Sequence, residues 1–160
     1  MYLLKNNFLR LLIICTIFIL KTNYSLANII KPNTAIEPLQ VVKIQLRSLK
    51  NNDNPISDNG INQTWEFAHP NNKMFTGPLK KFKNMLKGDS YSMLLNHFEH
   101  KVTRVYQSEE VATFEVVILD KKKKYYKFKW QVEKYKKKGP LENCWLTTAV
   151  SQPIDMGSSI

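Results

Sequence analysis

Three histidines stand in the chain, each with a carboxylate close by: His69 follows Glu66, and His97 and His100 bracket Glu99. An imidazole titrates near neutral pH, so a pocket histidine beside a carboxylate could act as a general base. His97 is the candidate for that catalytic role, with Glu66 or Glu99 as its partner. It falls where a helical pattern gives way to an alternating one. The competing reading is structural: His97 caps the preceding turn or donates a hydrogen bond inside the fold. A lone histidine without a visible partner favours that second reading. His69 precedes Pro70 in a loop and is expected at the surface. His97 and His100 are three apart, but no third ligand type clusters with them, so no metal is expected. Asp53, Asp58, Asp89, Asp120 and Asp155 all fall in expected loops or turns, none at an inward strand position. There is no Gly-rich phosphate loop and no Gly-x-Ser-x-Gly elbow, so no cofactor is expected.

Aromatic residues are the richer resource. Trp65, Phe67, Phe82, Phe114, Tyr126, Phe128, Trp130 and Trp145 suffice to line an apolar pocket. Their ordinary role is core packing. Both roles are compatible if deep rings pack and outer rings meet a ligand. Trp65, His97, Tyr126, Trp130 and Trp145 are the candidate lining residues.

The elements that must position these groups follow from periodicity. Leu39, Val42, Leu46 and Leu49 make one apolar stripe and predict a helix from Glu37 or Pro38 to Lys50. Residues 51–60 are almost pure turn chemistry. Ile61 to Ala68 predicts a second helix, ended by Pro70. Thr76-Gly77-Pro78 opens a third, with Leu79, Phe82 and Leu86 as its stripe and Gly88 at its end. Tyr91 to Leu95 reads as a short helical turn. From His97 the period becomes two. Strands are expected at 98–106, at 110–120, around 126–132 and at 143–150. The third is the cleanest: Tyr126, Phe128, Trp130 and Val132 alternate with Lys127, Lys129, Gln131 and Glu133. Helices followed by hairpin-joined strands make an α+β fold, three N-terminal helices on one face of a four-stranded antiparallel sheet.

Export frames this domain. Lys5 and Arg10 precede an apolar run, Leu11 to Leu20, and Ser25 and Ala27 follow. That is the pattern of a signal peptide over residues 1–27, cut near Ala27, with localisation in a periplasm, a lumen or outside the cell. An uncleaved anchor is the alternative; the ten-residue run is short for a span. Residues 28–37 read as an extended leader, 38–150 as the domain and 151–160 as a loose tail. Cys15 lies in the apolar run. Cys144 alone remains after cleavage, so the domain must hold together without an internal disulfide.

The chain has 24 basic and 13 acidic side chains. Lys5, Arg10 and Lys21 precede residue 28 and no acid does, which leaves +8. Lys121, Lys122, Lys123 and Lys124 form one run, and Lys136, Lys137 and Lys138 another. Lys80, Lys81, Lys83 and Lys87 share one short helix. Such clusters attract anionic membrane or wall polymer; the plainer explanation is that lysine solvates turns. Nucleic acid is not an expected partner of an exported protein. Asn23-Tyr24-Ser25 and Asn62-Gln63-Thr64 match the glycosylation pattern.

Several short strings together carry a resemblance: Val41-Val42-Lys43-Ile44-Gln45-Leu46, Trp65-Glu66-Phe67-Ala68-His69-Pro70, Thr76-Gly77-Pro78-Leu79 with Phe82 and Met85, Tyr91 with Leu94-Leu95-Asn96-His97, and Cys144-Trp145. They resemble the family called domain of unknown function 4864, a branch of the nuclear-transport-factor-2-like, or cystatin-like, superfamily. The resemblance covers roughly residues 38–150. It implies a cone: a curved antiparallel sheet wrapped around a long N-terminal helix, with a pocket at the open end. It also implies a homodimer as one assembly. It selects no activity, because the superfamily holds isomerases, dehydratases, hydrolases and non-catalytic binders. The expected function is therefore non-catalytic binding of a small apolar ligand or a partner protein. The alternatives are a pocket enzyme of isomerase or hydrolase type using His97, and a peripheral domain held to anionic membrane or wall polymer by its lysines.

Overall fold

A computed structural model describes residues 28–158 of the chain. The expected signal peptide, with Cys15 and Asn23, lies outside the described residues. Helix α1 (Pro38–Lys50) opens with proline at its first position, where the missing N–H costs nothing. The backbone N–H of Glu37 donates to Gln40 Oε1 at 2.9 Å and secures the first turn. The buried face of α1 holds Val41, Val42, Gln45, Leu46 and Leu49. Helices α2 (Asn59–Glu66), α3 (Pro70–Thr76) and α4 (Leu79–Lys87) follow, then a 3₁₀ turn at Ser92–Leu94.

Strands β1 (Glu99–Gln107), β2 (Val111–Leu119), β3 (Lys124–Lys134) and β4 (Trp145–Val150) form an antiparallel sheet in that spatial order, and β5 (Ile154–Ser158) also pairs with β3. The register sets Phe114 opposite Trp130 and Val116 opposite Phe128. Ala112, Phe114, Val116 and Ile118 of β2 share one buried face with Phe128, Trp130 and Val132 of β3. Helix α1 packs on that sheet through β1, β3 and β4. Each fully buried large apolar side chain there contributes about 1.5–3 kcal/mol.

The α+β class stands, but the helix and strand counts are corrected. Pro70 starts a helix rather than ending one: α2 already stops at Glu66, and Ala68 bridges to Thr147. His69 Nδ1 accepts from the Asn71 N–H at 3.1 Å and caps α3. None of the residues of α3 is buried, so it left no apolar stripe in the sequence. The fifth strand lies in the segment expected to be a loose tail. Ile154 and Met156 do alternate with Asp155 and Gly157, yet all five residues of β5 are exposed. Asp155, expected in a loop, is therefore on a strand, facing solvent. Strands β4 and β5 line the same edge of β3 in succession. Ser151 bridges the gap: its N–H donates to Lys129 O and its Oγ accepts from the Lys129 N–H, both at 2.9 Å.

The turn-rich segment 51–60 is a folded hub. The Asn52 side chain accepts from the Ile61 N–H at 3.0 Å, and the Asn52 N–H donates to Asn96 Oδ1 at 3.0 Å. Asn96 sits in the left-handed region at φ 55° and donates through Nδ2 to Asp53 Oδ2 at 2.7 Å. This bond from Asn96, with the Asp58 N–H behind it, holds the Asp53 carboxyl below its usual range.

Candidate ligand-binding site

Gln45 is the polar residue on the buried stripe of α1, between Val42 and Leu49. Its side-chain oxygen meets two donors from the sheet. Trp130 Nε1–H of β3 reaches Gln45 Oε1 at 3.1 Å, and Thr147 Oγ1–H of β4 reaches it at 2.6 Å. Gln45 Nε2 donates to Thr64 O of α2 at 3.0 Å. Buried polar groups must be paired, and this cluster satisfies one another's donors and acceptors across four elements. Thr147 is itself fixed by its backbone. Its N–H donates to Phe67 O and its carbonyl accepts from the His69 N–H, both at 2.8 Å.

Beside this cluster lies a cavity of about 100 Å³. Gln45, Thr147 and Trp130 border it, with Leu49, Phe82, Leu86 and Leu94 as apolar wall. Asn72 and Thr76, one turn apart on α3, line it with Met85 of α4 and Tyr91. Tyr91 donates its hydroxyl to Val150 O at 3.4 Å, and partial burial raises its pKa. The cavity is thus mostly apolar, with a few fixed polar atoms, which is how small-molecule sites are built.

Of the candidate lining residues, Trp130 borders this cavity and the others are placed elsewhere. Trp65 stacks at a tilt on Phe82, ring centroids 5.0 Å apart, with the Lys73 ammonium 5.2 Å from its own ring centre. Trp145 is buried against β3, and the Lys134 ammonium stands 5.2 Å over it. Tyr126 borders a separate polar cleft with Asp53, Asp120, Lys121 and Lys122. Alternation correctly gave the buried face of β2 and β3; it carries no information on which part of that face is covered.

His97 is 2% exposed, between the 3₁₀ turn and β1. Its Nδ1 lies 2.8 Å from Leu94 O, and its Nε2 lies 2.8 Å from His100 Nδ1. A carbonyl can only accept, so Nδ1 carries the proton and Nε2 accepts from His100. Burial lowers the His97 pKa to about 4, and the His100 and Lys50 charges push the same way. His100 is lowered too, by burial and then by Lys50 and Arg47. The basic nitrogen of His97 is therefore already engaged and faces another imidazole. Neither Glu66 nor Glu99 joins it: Glu66 pairs with Lys31 at 2.8 Å and Glu99 is exposed. Among the described residues no group of three or more His, Cys, Asp and Glu is arranged to hold a metal.

The lysine runs are divided. Lys121 to Lys124 turn β2 into β3, and Asp120 Oδ1 accepts from the N–H groups of Lys122 and Lys124 at 2.8 Å. Lys136 pairs with Glu110 at 2.8 Å beyond the far end of β3. The eleven residues of β3 separate the two runs, roughly 35 Å of strand at 3.2–3.4 Å per residue, so they make no common patch. Asn62 lies in α2 with its side-chain oxygen buried, a poor setting for glycosylation, which favours exposed loops.

No protein-family model, curated protein or solved structure matches this chain. Among the described residues no helix is long and apolar enough to cross a membrane. Gln45 and Thr147 are the site residues that sequence reasoning missed. The available signal was a glutamine in the middle of an apolar helical stripe. A polar residue there must find partners inside the fold.

Proposed function

We propose that this protein is an exported, non-catalytic binding domain of the cone-shaped, cystatin-like type, and that it holds a small apolar ligand between α1, α4 and the β3–β4 face. The cavity with its polar edge carries this reading. A volume of about 100 Å³ suits a single small ring or a short alkyl segment; engineered apolar cavities of about 150 Å³ take benzene. Gln45, Thr147 and Trp130 give the ligand a polar side to orient against, although their strongest bonds are to one another. The helices-then-sheet order and the long first helix under the sheet support the cystatin-like reading. The engagement of both His97 nitrogens favours binding over catalysis.

Thermal unfolding of the protein with benzene, indole and short alkanols tests this. A ligand that binds only the folded state raises the melting temperature in proportion to RT ln(1 + [L]/Kd). At least one probe should raise it, the rise growing with the logarithm of its concentration once that exceeds Kd. Met85→Trp, at a half-buried wall position, should abolish that rise by filling the cavity. Probes that leave the melting temperature of the unsubstituted protein unchanged, or that shift both proteins equally, would refute the assignment.

A further inference from the structure

The hairpin of α3 and α4 combines two features that nothing inside the fold uses. Met74 and Phe75 are 76% and 83% exposed, the most exposed large apolar side chains among the described residues. They sit on a helix none of whose residues is buried, so the core does not require them. From Phe67 to Gly88 the chain holds five lysines and no acid. Lys83 and Lys87 are committed to Asp58, at 3.7 and 2.8 Å. Lys73 lies over Trp65. Lys80 and Lys81 are exposed and have no ion pair among the described residues. Gly77 joins the helices at φ 80°, a conformation that favours glycine, and the Lys81 stem packs beside it. An apolar tip is thus tied closely to two uncommitted cations.

We propose that this hairpin docks the protein on an anionic lipid bilayer, Met74 and Phe75 entering the interface and Lys80 and Lys81 meeting the headgroups. Charge decides the occupant: a positive, acid-free segment around an apolar tip complements an anionic surface, and lysine stems reach from apolar contact to charged headgroups. Two phosphate-level contacts and two inserted side chains give a weak, reversible attachment. Asn72 and Thr76 on the same short helix border the cavity, so docking would bring that wall of the cavity near the membrane. The docking stands apart from the ligand reading, since it needs only the exposed tip and the lysines.

A site-local readout tests it in the full chain, where residues 1–27 could bind lipid on their own. Phe75→Trp adds a fourth indole at the tip; the native three, Trp65, Trp130 and Trp145, are buried or half-buried. With vesicles of anionic lipid bearing brominated acyl chains, the added emission should be quenched strongly. With neutral vesicles it should be quenched several-fold less. Adding Lys80→Glu and Lys81→Glu should weaken the quenching in anionic vesicles about tenfold at 0.1 M salt, where the screening length is about 10 Å. Quenching no greater than that of the native three tryptophans overturns the proposal. So does a concentration-dependent emission change without vesicles, which would assign the tip to a second copy of the chain.

Discussion

At the residue scale, the Gln45–Thr147–Trp130 cluster joins positions 102 and 85 residues apart in the chain. Its members are not equivalent. Thr147→Val removes one donor and keeps the shape, and Gln45 Oε1 still accepts from Trp130. Such a loss costs about 1 kcal/mol. Gln45→Leu strands the Thr64 carbonyl and leaves the Thr147 hydroxyl proton without an acceptor, though its oxygen still accepts from Trp130 Nε1–H at 3.3 Å. An unsatisfied buried group costs about 1–3 kcal/mol. Chemical denaturation should therefore show Gln45→Leu losing about 2–4 kcal/mol and Thr147→Val markedly less; equal losses would mean the cluster does not share one acceptor. His97 makes a pH prediction. Its folded pKa, about 4, lies below the ordinary 6.5, so the folded state keeps it neutral while the unfolded chain binds a proton. Stability from neutral His97 is complete above about pH 6.5 and is lost as pH falls towards 4, to about 3 kcal/mol at most. His69 and His100 are shifted the same way and add to the slope. The melting temperature should fall between pH 7 and 4, and His97→Gln should flatten part of that fall. An unchanged slope in the variant would remove His97 from the account.

At the element scale, the approach of α1 and α2 depends on Gly60. A side-chain carbon there would overlap the Ser48 carbonyl and lie 2.8 Å from the Asn52 Cα, both backbone atoms that cannot swing aside. Gly60→Ala normally favours a helix by about 1 kcal/mol. Here it should destabilise by about 2 kcal/mol or more, because overpacking forces backbone shifts. Equilibrium unfolding of this one variant measures which effect wins. A neutral or stabilising result would show that the helices can separate freely. The same contact explains why the turn-rich stretch before α2 is ordered: Gly60 N–H donates to Asn52 O at 3.0 Å and closes the hub.

At the scale of the whole molecule, stability is unevenly distributed. Strands β2 and β3 pair along nine positions and carry most of the fully buried aromatic core. Helix α3 and strands β1 and β5 bury no residue, but β1 is paired with β2 along nearly its whole length. Local opening costs least where few apolar contacts must break. Hydrogen exchange should find the slowest amides in β2 and in Phe128–Val132 of β3, and the fastest in α3 and β5. Protection of β5 equal to that of β2 would show the sheet opening as one unit. Helix α3 borders the cavity and β5 lies at the end of the described chain. Both can move without disturbing the α1–sheet core.

The sequence by itself determined the α+β class, the long first helix, the order of helices before strands, and the buried face of β2 and β3. Those properties are local: a helix repeats every 3.6 residues and a strand every two, so one amphipathic segment declares its own type and inner side. What only the tertiary structure decided depends on neighbours. Helix α3 has no apolar stripe to read and β5 alternates without burying either face; one is set by the His69 cap and the other by the free edge of β3. Trp65, Tyr126, Trp130 and Trp145 look alike as aromatic residues in the chain, yet packing sets one against Phe82, one at a polar cleft, one beside the cavity and one under β3's Lys134. His97 became a partner of His100 and Leu94 because the turn before β1 folds its ring inward. The cavity itself exists only where α1, α3, α4 and the β3–β4 face fail to fill the space between them, and that is a property of several surfaces together.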